Sequence, residues 1–201
     1  MAVEHKRLGK HGVLVSNLCL GTMNFGWHTS EEDSFKIMDR ALELGINFFD
    51  TADVYGDGHN EELIANVLKK RRKDIVIATK FGNTYDEATR ELTGSDVTPS
   101  YIRQACEASL RRLRTDWIDL YQLHRPQADI PIDETLRALD DLVRAGKIRY
   151  IGTSMFPAWK IVEALWASKE FGLNRFVVDQ STYHLLDRTL EREVLPAALS
   201  F

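Results

Sequence analysis

Residues 42–50 read LELGINFFD and combine the end of a helix with the start of a buried strand. Gly45 stands where the glycine that ends a helix is expected, and the apolar residues after it are typical of a strand. The same order of helix, glycine and strand returns in residues 143–154, VRAGKIRYIGTS, and in residues 169–180, KEFGLNRFVVDQ. A chain that alternates helices with strands in this way predicts an α/β fold.

The predicted strands are short, and most of them do not alternate between apolar and polar residues. Continuous apolar strands are expected in a parallel sheet that is covered on both faces. Two shorter segments, residues 6–8 and 13–15, are joined by GKHG and predict a β-hairpin before the first long unit. The six longer predicted strands cover residues 18–21, 46–50, 74–80, 117–124, 148–154 and 176–180.

The segments between the strands carry the signals of helix starts and of helix faces. Ser30 with Asp33 resembles a capping box, proline follows Thr98 at a predicted first turn, and Asp133 is expected to cap the next helix. Apolar residues at helical spacing predict which side of each helix faces the sheet. In the helix after the fifth strand, this predicted stripe consists of Ile161, Val162, Leu165 and Trp166.

Two α/β architectures are compatible with this pattern, the doubly wound sheet and the (β/α)8 barrel of the TIM type. A doubly wound dinucleotide fold predicts GxGxxG directly after its first strand, whereas residues 21–26 read GTMNFG. The loop GDGHNE at residues 56–61 is nearer to that motif, but a tight turn accounts for its two glycines. The unit count favours a barrel, which needs eight strands and about 250 residues. The sequence therefore predicts a single, incomplete barrel domain over residues 1–201, with about six βα units and a missing C-terminal part.

The composition is that of an ordinary globular protein and excludes few functions. Hydrophobic residues make up 44% and charged residues 28%, and the net charge of -4 gives no reason to expect nucleic acid or an anionic membrane as a partner. The longest apolar runs are shorter than the ~20 residues of a membrane helix, and the N-terminal MAVEHKRLGK has no apolar signal-peptide segment. Two distant cysteines fit a reducing compartment, so a cytoplasmic protein is expected.

Polar residues stand at the ends of successive predicted strands. Asp50, Lys80 and His124 end the second, third and fourth strands, and Tyr55 lies in the loop after the second. Each residue alone is compatible with an ordinary turn or cap, but active sites of barrels lie at the C-terminal ends of strands. An acid, a base and a titratable ring are therefore expected to converge on one mouth. The fifth strand ends in Thr153 and Ser154, and the sixth in Asp179 and Gln180.

These residue types can protonate an oxygen while another group attacks the carbon bonded to it. A tyrosine such as Tyr55 has an ordinary pKa of about 10, and a neighbouring ammonium lowers the pKa of a phenol. Lys80 can supply the ammonium, Asp50 can hold Lys80 in place, and His124 can donate a hydrogen bond to a substrate carbonyl. The set contains no redox group, so a bound cofactor is expected to supply a hydride.

Two other reaction classes use residues of these kinds. A metal-dependent barrel hydrolase needs several histidines at strand ends, and His124 with His184 is too small a set, so no metal site is predicted. A Schiff-base lyase needs an uncharged lysine, whereas the proximity of Asp50 predicts a charged Lys80.

Five segments of the chain resemble the aldo-keto reductases. FFDTADVYG, ATKFG and LYQLHRP are similar to three hallmark segments of that family, and KIRYIGTSMF and VVDQSTYHLL are similar to two more. The resemblance runs from about residue 5 to the end of the chain. It implies a (β/α)8 barrel and the reduction of aldehydes or ketones with NADP(H). The family's catalytic tetrad falls on Asp50, Tyr55, Lys80 and His124, with Tyr55 as the proton donor.

The resemblance also implies where the cofactor and the substrate bind. Its cofactor contacts fall on Asp50, Ser154 and Gln180, with Gly21, Thr22 and Met23 on the nicotinamide side of the pocket. The substrate pocket falls on Trp27, Tyr55 and His124. Many members have asparagine after the serine of the GTS segment, whereas this chain has Met155.

A second interpretation of the resemblance is not catalytic. Barrels of this family also serve as accessory subunits of potassium channels, and family members continue through a seventh and an eighth strand. The chain is therefore also compatible with a catalytically impaired fragment or a nucleotide-binding module. The sequence does not predict its oligomeric state.

Overall fold

The computed structural model describes residues 3–85, 92–127 and 129–201. They form a parallel sheet with helices along it, preceded by a short antiparallel hairpin. The strands are β1 (His5–Arg7), β2 (Leu14–Ser16), β3 (Cys19–Gly21), β4 (Phe48–Asp50), β5 (Val76–Phe81), β6 (Asn83–Tyr85), β7 (Leu92–Ser95), β8 (Ile118–Leu123), β9 (Ile148–Ser154) and β10 (Phe176–Gln180). The helices are α1 (Glu31–Glu43), α2 (His59–Arg71), α3 (Pro99–Leu113), α4 (Ile132–Arg144), α5 (Ala158–Phe171) and α6 (Val194–Ser200).

The main sheet has six strands in the order β10-β9-β8-β5-β4-β3, and all neighbouring pairs are parallel. Successive long strands are neighbours, and each is followed by a helix, which is the βα repeat of a barrel. The prediction of an incomplete (β/α)8 barrel is confirmed. Within the described residues, β3 and β10 form the two edges of this sheet.

Three helix ends lie where the sequence signals predict them. The Ser30 hydroxyl accepts a hydrogen bond from the backbone N–H of Asp33, and Thr98 caps α3 in the same way. Gly172 ends α5 in the left-handed conformation, with φ of 64°. The expected cap at Asp133 is wrong, because α4 already begins at Ile132 and Asp133 lies in its first turn.

Two features of the fold differ from the sequence prediction. The antiparallel hairpin of β6 and β7 follows β5 and was not predicted. The buried side of α5 is also different, because Trp166 is 62% exposed and the buried residues include Ala164, Ala167 and Ser168. These small residues lie three and four positions apart and form the stripe that faces the interior.

The core lies between the sheet and the helices. Phe49 of β4, Ile77 of β5 and Tyr121 of β8 are fully buried, and they pack against residues such as Leu113 of α3 and Leu139 of α4. Successive residues of these strands point to opposite faces, so the residues next to them point into the barrel. Within the described part of the chain, no helix is long and apolar enough to span a membrane.

Candidate active site

The C-terminal ends of the six parallel strands all lie at the same end of the sheet. The predicted site residues lie there as well. Gly21 at the end of β3 pairs with Asp50 at the end of β4. At the far side, Gln180 of β10 pairs with Ser154 of β9. The pairing of the strands therefore brings these strand ends to the same end of the sheet, as expected.

Lys80 is the centre of this arrangement. Its side chain is almost fully buried, and its Nζ lies 2.7 Å from the Asp50 carboxylate. The same Nζ donates to the backbone carbonyl of Thr51 at 2.9 Å and to the Tyr55 hydroxyl at 3.2 Å. One ammonium thus contacts a carboxylate, a carbonyl and a phenol, and it occupies all three of its donors. Lys80 and Asp50 have the geometry of an ion pair, which does not fit the unpaired, desolvated lysine of a Schiff-base enzyme.

Tyr55 is positioned by an irregular turn between β4 and α2. Residues Tyr55–Gly58 form a 3-10 turn in which Gly56 has φ of 54° and Gly58 has φ of 88°. A Cβ at Gly58 would lie 2.6 Å from Cδ of Arg112, so the close packing of α3 also requires glycine there. The two glycines of the GDGHNE loop therefore serve the turn.

Asn60 in the first turn of α2 ties this turn to the neighbouring strand ends. Its Oδ1 accepts hydrogen bonds from the hydroxyls of Thr22 and Thr51, each at 2.7 Å. Its Nδ2 donates to the carbonyls of Thr22 and Phe25, at 2.6 and 3.1 Å. The side chain is fully buried, and it holds the loops after β3 and β4 at a fixed distance. Asn60 was not predicted as a site residue, because nothing in the local sequence distinguishes it from an exposed helix asparagine.

His124 lies beside Tyr55, directly after β8. The two ring centroids are 6.1 Å apart, and the rings meet nearly edge to face, at 80°. Nδ1 of His124 lies 3.1 Å from Nδ2 of Asn83. Burial lowers the pKa of His124 to about 4, and the positive charges of Lys80 and Arg125 act in the same direction. The ring is therefore neutral at physiological pH.

Two glutamine side chains connect β8, β10 and the Asp50 carboxylate of β4 through hydrogen bonds. Nε2 of Gln122, on β8, donates to Oε1 of Gln180 at 3.0 Å, and Nε2 of Gln180 lies 3.5 Å from the Asp50 carboxylate. The Ser154 hydroxyl donates to the backbone carbonyl of Gln180. Gln122 is buried and was not predicted as a site residue, although it lies one residue before the C-terminal end of β8.

The other predicted contacts lie on the loop after β3. The Thr22 side chain is fully buried, and its hydroxyl is already bonded to the Asp50 carbonyl and to Asn60. Met23 and Trp27 are exposed, and the Trp27 ring contacts the ring of His28 at a tilt of 32°, with centroids 3.8 Å apart. A Cβ added to Gly21 would meet no atom of another described residue within 4 Å.

A second ionic cluster lies behind the turn that carries Tyr55. Glu61 is fully buried, and its carboxylate accepts from the Thr79 hydroxyl at 2.6 Å and from Nε of Arg112 at 2.7 Å. Asp53 is also buried, and within the described residues its Oδ1 has no hydrogen-bond partner. Burial and the nearby Glu61 raise the pKa of Asp53 to about 8.

Met155 departs from the family pattern and also has an unusual backbone conformation. Its φ is 60°, which is the left-handed region that favours glycine and asparagine. We expect Met155→Gly to be more stable than Met155→Ala by about 1 kcal/mol, because both lose the side chain and only glycine avoids the strain. Urea unfolding of the two variants measures the difference. A more stable alanine variant would contradict the strained conformation.

The described residues contain no group of three or more potential metal ligands. Around Lys80, the described strand ends bring together an ammonium, the Asp50 carboxylate, the Tyr55 phenol and, beside that phenol, the His124 imidazole.

Comparison with known proteins gives a consistent result. Residues 17–200 match the profile of the Aldo/keto reductase family. Uncharacterized oxidoreductase YrpG of Bacillus subtilis is 42% identical over 206 residues, which cover 98% of this chain and 63% of the relative. Norsolorinic acid reductase B of Aspergillus parasiticus is 37% identical over 199 residues, which cover 93% of this chain and 52% of the relative.

A solved structure agrees with these sequence matches. The holo form of aldo-keto reductase AKR11C1 from Bacillus halodurans superimposes with a TM-score of 0.85 and is 42% identical, with 94% of this chain and 60% of that chain covered. The chain thus spans between 52% and 63% of the length of these three proteins. The family profile covers nearly the whole chain, and the chain therefore belongs to the aldo/keto reductase family.

Proposed function

We propose that this protein is an oxidoreductase that reduces an aldehyde or a ketone to an alcohol, with NADPH as the hydride donor and Tyr55 as the proton donor. The observation that carries the proposal is the contact of one buried ammonium, Lys80, with both the Asp50 carboxylate and the Tyr55 hydroxyl. This arrangement places a positive charge beside the phenol oxygen, where it stabilises the phenolate that remains after the proton is transferred.

The roles of the four residues follow from their contacts. Tyr55 donates its proton to the carbonyl oxygen of the substrate as that oxygen becomes negative. Lys80 stabilises the resulting phenolate, and Asp50 fixes Lys80 in its buried position. His124 is neutral, so it donates a hydrogen bond to the same oxygen and does not serve as the acid.

The residues at the ends of β3, β9 and β10 fit a nicotinamide ring. Gln180 donates only a long, 3.5 Å bond to Asp50, so its amide is available to a carboxamide group. Ser154 uses its proton on a backbone carbonyl and can accept a hydrogen bond, and Gly21 leaves space beside them. When bound, a reduced nicotinamide supplies the hydride for the carbonyl carbon. NADPH, in preference to NADH, is inferred from the family resemblance.

Nucleotide preference and turnover test the proposal together. We expect NADPH to bind more tightly than NADH and to be consumed when aldehydes or ketones are added. Fluorescence titration with both nucleotides measures binding, and the absorbance of the reduced nicotinamide measures turnover. Both are run on this chain and on a version that is extended by two further strand–helix units.

Three outcomes separate the alternatives. Turnover with carbonyl compounds supports the oxidoreductase. Tight nucleotide binding without turnover in both versions would instead support the nucleotide-binding module. Equal kcat/KM for NADH and NADPH in the extended version would contradict the inferred cofactor preference.

A further inference from the structure

The imidazole of His124 can exist as two neutral tautomers, and its contacts select one of them. The neighbour of Nδ1 is Nδ2 of Asn83, at 3.1 Å. A side-chain amide nitrogen carries two protons and has no lone pair to offer, so it can only donate. With the amide in this orientation, Nδ1 of a neutral ring is the acceptor, which leaves the ring proton on Nε2.

Two hydrogen bonds fix the positions of Asn83 and of the strand end next to it. Asn83 follows Gly82 at the start of β6, and its backbone carbonyl accepts a hydrogen bond from the Tyr101 hydroxyl of α3 at 3.0 Å. On the other side, the backbone N–H of His124 donates to the carbonyl of Phe81 at 2.9 Å. The ends of β5 and β8 are thereby joined directly next to the side-chain contact. The hairpin that the sequence analysis missed is what delivers Asn83 to His124.

Gly82 makes this close approach possible. Its φ is 107°, and a Cβ there would lie 2.9 Å from Cδ1 of Leu123. A larger residue at position 82 would push β6 away from the end of β8, and with it the amide of Asn83. The contact between Asn83 and His124 is therefore built into the backbone of two neighbouring strand ends.

The charges around the ring oppose a second proton on it. Lys80 of β5 and Arg125 of the loop after β8 act on the ring as positive charges, and the Tyr55 ring of the turn after β4 meets it nearly edge to face. The carboxylate of Asp50 is bonded to Lys80. An amide at Nδ1 fits this setting, because it donates to a neutral imidazole without stabilising the imidazolium.

We propose that Asn83 is a positioning residue that fixes His124 as the tautomer with the proton on Nε2, so that the ring presents a neutral donor beside Tyr55. The effect of this tautomer on catalysis rests on the proposed function. The assignment of the tautomer does not rest on the proposed function, because it is inferred from the contact between Asn83 and His124.

The direct test is the protonation state of each ring nitrogen in the unmodified chain. The 201-residue chain is labelled with 15N-histidine, and the imidazole signals are recorded by long-range 1H–15N correlation near neutral pH. The chain has six histidines, so the His124 signals are identified by their loss in His124→Gln. We expect an unprotonated Nδ1 and a protonated Nε2 for His124. A proton on Nδ1 would overturn the proposal, whether or not any variant folds.

Substitution at position 83 provides the second arm. In Asn83→Asp the amide becomes a carboxylate, which accepts a hydrogen bond from a protonated Nδ1. We expect the proton to move to Nδ1 and the His124 pKa to rise by about one unit or more. Asn83→Ala is the matched control, since it removes the donor and adds no charge. An unchanged tautomer and an unchanged pKa in a folded Asn83→Asp chain would refute the role of Asn83.

Activity measurements distinguish a failure of the role of Asn83 from a failure of the proposed function. If the extended protein reduces carbonyl compounds, Asn83→Asp is expected to shift the pH dependence of kcat/KM while NADPH binding changes little. A purely structural role would lower activity at every pH without that shift, and this result would overturn the positioning role. If no carbonyl compound is reduced but the tautomer is the expected one, the proposed function fails and the assignment of Asn83 stands.

Discussion

Replacement of Tyr55 by phenylalanine is expected to lower kcat for carbonyl reduction by ~10²–10⁴-fold, the usual effect of removing a general acid. Only the hydroxyl oxygen is lost, and this atom accepts the hydrogen bond from Lys80 at 3.2 Å. The ring remains between Lys80 and His124. Nucleotide binding is therefore expected to change little, and the loss should lie in turnover.

Tyr150→Phe is a suitable control for this experiment. Tyr150 lies near the start of β9, at the end of the sheet away from the candidate site, and its ring packs against His11. The same chemical change there should leave kcat within a few-fold of the original. Single-turnover measurements with bound NADPH would separate the chemical step from product release. A Tyr55→Phe protein that retained most of its turnover would show that another group donates the proton.

The strands and their order in the chain could be read from the sequence for a simple physical reason. A glycine that ends a helix and a short apolar run together mark both limits of a strand. Ile148–Ser154 and Phe176–Gln180 accordingly have the bounds that were predicted. Asp50 and Lys80 then lie close together, because neighbouring parallel strands have their C-terminal ends at the same end of the sheet.

Features that depend on contacts between distant segments could not be read in this way. The approach of Asn83 to His124 needs two loops from different strands and the open backbone at Gly82. The buried side of α5 was predicted from its largest apolar residues, yet the alanines face the interior and Trp166 does not. Which face of a helix is buried depends on the space that the adjacent sheet and helices leave for its side chains. The spacing of apolar residues does not contain the size of that space.

Asp53 is a further example, and it leads to a prediction about stability. The residues beside Asp53 do not predict its burial, but it is only 7% exposed and lies close to Glu61 and Arg112. Burial is the largest cause of the rise in its pKa to about 8, and the charge of Glu61 adds to it. Arg112 and the backbone N–H of Val54 act in the opposite direction but do not compensate.

The sign of the effect on folding follows from comparing the two states. The pKa of Asp53 is about 8 in the folded chain, against the ordinary 3.8 that applies after unfolding. Below about pH 4 both states hold the proton, so the residue has no effect on the free energy of unfolding. Between about pH 4 and pH 8 the unfolded chain releases the proton and the folded chain keeps it. Stability therefore declines across this interval, by ~1.4 kcal/mol for each unit of pKa difference.

Asparagine has nearly the same shape as aspartic acid and stays neutral, so Asp53→Asn is expected to remove this decline. The free energy of unfolding should change little near pH 4, and near pH 8 the variant should be more stable than the original chain by at least about 1.4 kcal/mol. Urea unfolding at the two pH values measures both numbers. Asp39→Asn on the exposed side of α1 is the matched control, because it removes the same charge from a solvated position. A difference of equal size at both pH values would show that Asp53 is ionised in the folded protein and would contradict the raised pKa.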